Sequence, residues 1–189
     1  MWLIERCFFG MACLSFLWVL PVSEAFDLQL TQEHIEEASE CGKRHKGTSV
    51  FNSREIKPAC FGEYPGGEGG LIMSKYVKIS VVSAMKIMQE KTFTPDELKE
   101  ITNSTSFDVV VVISDTNVQS PMDVQIVLQQ GTNNILPYKT EFGMKHKDNK
   151  QSVIGTFQDE KVNPNAQTTI VVKTKNSQKK YKIDFSDVK

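Results

Sequence analysis

Phe107-Asp108-Val109-Val110-Val111-Val112-Ile113 is the stretch whose reading decides the fold class. Five of its residues are β-branched and only Asp108 is polar. Such side chains lose rotamer freedom in a helix and pack well on a pleated surface. A short, almost wholly apolar run of this kind predicts a strand covered on both faces or lying in the core between two sheets.

Downstream of that run the theme continues. Met122, Val124, Ile126 and Leu128 alternate with polar partners, followed by Val153 and Phe157, then Ile170 and Val172, then Tyr181, Ile183 and Phe185. Turn-rich stretches at 115–121, 131–134, 145–150, 163–165 and 175–178 separate these segments, and Pro137 suits an edge strand. About six antiparallel strands with one dry face predict a mainly β protein built as an immunoglobulin-like antiparallel β-sandwich. Kinship is with that architecture only. An antibody-type domain needs a buried tryptophan against a disulfide between its sheets, whereas Trp2 and Trp18 both precede residue 25 and Cys41 and Cys60 lie upstream of the readable strands.

Upstream of Phe107 helices enter. Thr94 as N-cap, Pro95 at N1 and Glu97 at N3, with Phe93 and Leu98 as a staple, predict a short helix near 95–103. Residues 74–89 fit either a strand (Val77, Ile79, Val81) or a helix (Val81, Met85, Met88). Gly62 to Gly70 holds five glycines and Pro65 and predicts a mobile loop; no Gly-Lys-Ser/Thr follows, so it is not a phosphate loop. Residues 48–60 read weakly as a strand. Thr31 as N-cap, with Leu30 and Ile35 as a staple, starts a further helix that Gly42 is expected to stop. With only Ile35 and Ala38 in its apolar stripe, that helix is expected to lie on a surface.

Residues 1–25 read as a secretory signal peptide: Arg6, the apolar run Cys7 to Val22, and Ser23-Glu24-Ala25 with small residues at −3 and −1. The run is shorter than the roughly 20 residues a bilayer span requires, so no permanent span is expected after cleavage; an uncleaved anchor is the alternative. The organisation read from sequence is therefore a signal peptide (1–25), an N-terminal helical cap (26–47) and a β-sandwich domain (48–189).

Cleavage changes the charge. The whole chain has 22 basic and 23 acidic residues; losing Arg6, Glu5 and Glu24 leaves 21 of each. A balanced chain has no global field to gather nucleic acid or an anionic membrane. Cys7 and Cys13 also go, leaving Cys41 and Cys60. In an exported chain these predict one disulfide, stabilising by about 3 kcal/mol in loop entropy.

Chemistry-bearing groupings are sparse. His34, Cys41, His45 and Cys60 form a candidate zinc set, but His-x6-Cys-x3-His matches no compact zinc spacing. His146 is the only histidine among the strands, and neither Gly-x-Ser-x-Gly nor His-Glu-x-x-His occurs. Lys43, Arg44 and Lys46 are a candidate polyanion contact, though cations at a helix C-terminus have an ordinary electrostatic reason to be there. Asn103-Ser104-Thr105 is an N-glycosylation acceptor pattern. No cofactor or metal is implied. The expected function is that of a periplasmic or extracellular, non-enzymatic interaction or structural module with an unknown macromolecular partner, most simply a protein. Its candidate contact loops hold Pro65, Gly66, Gly67 and Glu68, and Asp115, Thr116, Asn117 and Pro121. A small-ligand or metal carrier and an unrecognised hydrolase are the alternatives.

Overall fold

The computed structural model describes residues 30–115, 117–146 and 150–189. The expected signal peptide at 1–25 and Thr116 lie outside the described residues.

Thr31 caps the first helix, α1 (Gln32–Arg44): its hydroxyl accepts from the His34 N–H at 3.2 Å. Gly42 does not stop it. The helix runs on to a cap at His45, whose N–H donates to the Cys41 carbonyl. Gly42 is instead buried with Ala38 and Cys41, three small residues on one stripe that let α2 (Lys75–Ile87) come close. A Cβ on Gly42 would stand 2.2 Å from the Ser80 carbonyl oxygen. The expected surface helix is thus one half of a packed pair. Its burial was hidden because Cys41 and Gly42 do not count as an apolar stripe.

The ambiguous segment 74–89 is α2, capped by Ser74, whose hydroxyl accepts from the Val77 N–H at 3.1 Å. Val77, Ile79 and Val81 are all buried because α1, the 47–52 turn and the helix at 95–102 pack around α2, so period two and period 3.6 are both satisfied. The shorter helix α3 (Pro95–Thr102) has the anticipated capping box between Thr94 and Glu97.

Only Cys60 of residues 48–60 lies in a strand; residues 48–59 do not. They form 3-10 turns at Gly47–Asn52 and Lys57–Ala59. The Ser53 hydroxyl accepts from the Ile56 N–H at 3.2 Å, the local side-chain bonding that competes with a ladder. The expected Cys41–Cys60 disulfide is not present either: both cysteines are free. The Cys41 thiol points to the Ser53 hydroxyl at 3.6 Å, and that of Cys60 to the Ile56 and Phe51 carbonyls at 3.7 and 3.8 Å.

Nine strands are found among the described residues: β1 (Cys60–Gly62), β2 (Gly69–Met73), β3 (Ser106–Ile113), β4 (Gln125–Gln130), β5 (Asn133–Ile135), β6 (Lys139–Lys145), β7 (Gln151–Gln158), β8 (Gln167–Lys173) and β9 (Gln178–Asp184). They make two antiparallel sheets, ordered β1-β2-β3-β7-β6 and β5-β4-β8-β9. The deciding stretch is β3, central in the five-stranded sheet, with Val109 opposite Gly155 and Val111 opposite Val153. Met122 departs from its expected place on a strand. It sits in a 3-10 turn, Pro121–Asp123, and is exposed.

One buried cluster joins both sheets and the helices. The Phe107 ring stacks on Phe157 at 5.7 Å and meets Phe185 edge-on at 6.0 Å. Gly155 lets β7 approach β4: a Cβ there would be 3.3 Å from Ile126. The chain crosses between sheets from β3 to β4, again at Leu136-Pro137-Tyr138, joining edge strands β5 and β6, and a third time at 159–166 between β7 and β8.

Candidate functional site

Strand register gathers the loops at one end. Gly69 pairs with Val112, and Ile113 with Gln151, so the 63–68 turn, the segment after β3 and the start of β7 share an end of the first sheet. In the second sheet Gln125 pairs with Lys173, and Lys173 with Gln178, which brings the start of β4 and the 174–177 turn together.

Two carboxylates tie these pieces. Glu68 accepts from the Ser114 N–H at 3.0 Å through one oxygen and from the Lys179 ammonium through the other. The glycine-rich turn is thereby bound to the segment leaving β3 and to edge strand β9. Asp115 accepts from the Asn117 N–H at 3.0 Å and from the Thr174 hydroxyl at 2.8 Å, joining the β3–β4 connection to the β8–β9 turn. The Lys179 bond, then Ser114, holds the Glu68 carboxyl below the ordinary range. Asp115 is lowered chiefly by the Asn117 N–H and then by Thr174. Both are therefore anionic braces at neutral pH.

The two candidate contact loops are thus adjacent, linked through Glu68 and Ser114. Pro65, Gly66 and Gly67 form the outer turn, closed by the Gly67 N–H on the Glu63 carbonyl at 2.8 Å. Pro121 opens the 3-10 turn, where Asp123 caps the N–H groups of Gln119 and Ser120 at 2.9 and 2.8 Å. Asp115, Asn117, Gln119, Asp123, Lys173 and Lys175 help to line an open hollow of about 660 Å³. Sequence reasoning missed Lys179 and Thr174, whose partners lie far away in the chain; the alternating lysines of the last strand were the available signal for the first.

The remaining candidates lie elsewhere. Lys43 pairs with Glu40 at 2.6 Å and Arg44 with Glu55 at 3.1 Å, so two cations of the polyanion candidate are already neutralised; Lys46 is the residue before the 47–52 turn. Among the described residues no three His, Cys, Asp or Glu side chains gather to hold a metal ion. Burial pushes the Cys41 thiol up and the Cys60 thiol to about 11, which keeps both protonated and poor ligands or nucleophiles. Asn103 is exposed at the C-cap of α3. No helix among the described residues is long and apolar enough to cross a membrane.

His146 does meet a hydroxyl. Its Nε2 lies 2.5 Å from the Ser152 Oγ, where β7 begins. Ser152 is only 3% exposed, and no carboxylate is bonded to His146 among the described residues.

No protein-family model, no curated protein and no solved structure matches this chain.

Proposed function

We propose that the chain is an exported, non-enzymatic recognition module that binds a protein partner with the loop end of an immunoglobulin-like β-sandwich. The sandwich reading is supported by the close approach of Gly155 to Ile126 and by aromatic residues of both sheet regions in one core. The recognition reading rests on one observation: Glu68 and Asp115 brace three loops from both sheets into one surface. Loops held in place before contact lose less conformational freedom on binding. Export rests on the pattern of residues 1–25, and fractionation of cells making the full chain checks it; a cytosolic product overturns it.

The binding test is capture from the native envelope or secretome with wild-type protein and with the Glu68→Ala/Asp115→Ala pair. Partners retained by wild type and lost by the folded variant are the expected result. Equal capture by both removes the loop end from consideration.

The His146–Ser152 contact favours a second reading as a hydrolase, with Ser152 as nucleophile and His146 as base. Labelling of Ser152 by a fluorophosphonate probe, abolished by His146→Ala, is its signature. An unlabelled wild type ends it.

A further inference from the structure

We infer that β6 is the interface for a second copy of this chain, added strand to strand about a two-fold axis at Thr140. As an edge strand, β6 is paired only with β7 among the described residues, which leaves the main-chain groups of its other side facing no described strand. Such an edge is a template for another strand unless it is guarded.

The side chains name the occupant. Outward from Thr140 stand Lys139 and Glu141, then Tyr138 and Phe142, then Pro137 and Gly143, then Leu136 and Met144. The chemistry reads alike in both directions, except that the charge changes sign. In an antiparallel pair centred on Thr140, Lys139 of each copy faces Glu141 of the other, and Tyr138 faces Phe142, each pairing occurring twice. Opposite charges and aromatic pairs are the cross-strand neighbours that stabilise a sheet. A foreign strand would have to match this pattern by its own design; a second copy matches it by symmetry.

Burial agrees. Leu136, Tyr138, Phe142 and Met144 are 56, 59, 39 and 68% exposed, a run of large apolar groups along one strand and its approach. Lys139 and Glu141 lie together on the other face, 2.6 Å apart, and exchange that contact for one across the axis. The segment is bounded on both sides. Pro137 has no N–H to donate, and the register with β7 shifts between Phe142 and Lys145. A ladder from Tyr138 to Phe142 is short, so the dimer is reversible and grows with concentration.

Sedimentation of the purified protein over a concentration series tests this with three charge variants, at exposed Lys139 and half-buried Glu141. Wild type is expected to dimerise. Lys139→Glu and Glu141→Lys each set like charges opposite one another and weaken self-association on the order of tenfold. The double variant Lys139→Glu/Glu141→Lys restores it, and a mixture of the two single variants forms the heterodimer. A wild type that stays monomeric at every concentration overturns the inference. So does a dimer indifferent to either single reversal, which would lie on another face.

Discussion

At Gly42 two general rules give opposite signs. Alanine is favoured over glycine inside a helix by about 1 kcal/mol, yet its Cβ would stand 2.2 Å from the Ser80 carbonyl oxygen and 2.5 Å from the Ser83 Cβ. A backbone oxygen inside α2 cannot step aside without disturbing that helix, so packing prevails. Gly42→Ala is expected to lower stability by about 1–3 kcal/mol, read as a lower urea midpoint; a raised midpoint would mean the two helices are not in contact there. Glu68 gives a prediction in pH. Its folded-state pKa is depressed, so its stabilising contribution is present above the unfolded value of about 4.3 and is lost as pH falls through the folded value. The gap in thermal midpoint between wild type and Glu68→Gln should be full at neutral pH and close on acidification below about pH 4. If the gap persists unchanged in acid, the Lys179 and Ser114 bonds are not what anchors the turn. Glu68 was legible as a loop residue because glycines surround it. Its two partners were not, because nothing local to residue 68 specifies residues 114 and 179.

Among the elements, those stabilised locally were the readable ones. The start of α3 is written into Thr94, Pro95 and Glu97, and the capping box is formed as that spacing requires. Thr94→Ala should cost about 1 kcal/mol and be seen first as faster amide exchange in α3. Glu97 is held down to about 2 by Lys86, then by the Thr94 N–H, so acid should not loosen this cap until well below the ordinary glutamate range. Strands β3, β4 and β8 were legible because buried aliphatic residues recur along them at every second position or better, and β9 because Tyr181 and Ile183 alternate with lysines. Helix α2 was ambiguous because its surroundings bury Val77, Ile79 and Val81 alike. Strand β6 was signalled only by the nearby Pro137, for the contrary reason: Lys-Thr-Glu-Phe-Gly-Met-Lys largely faces solvent, and a strand with little to bury leaves no pattern.

For the molecule as a whole, one cluster reaches from α1 to Val188 and includes both sheets, which predicts a single unfolding transition. Far-ultraviolet circular dichroism and tyrosine fluorescence should report the same midpoint. Phe185→Ala, which removes a fully buried ring from against Phe107, should lower stability by about 3–5 kcal/mol in both signals together. Two separate midpoints would mean that the helical pair and the sheets unfold independently. The two-sheet division was readable from turn spacing, but strand order was not. β3 is followed in the chain by β4 yet pairs with β7, and no local signal selects the far partner over the near one.

That same pairing has a cost during synthesis. The most apolar strand leaves the ribosome well before the partner that covers its flank, since Val109 waits for Gly155. Throughout that interval a naked valine-rich edge is free to stick to other nascent chains. Shortening the delay by circular permutation should reduce inclusion bodies without altering the final structure.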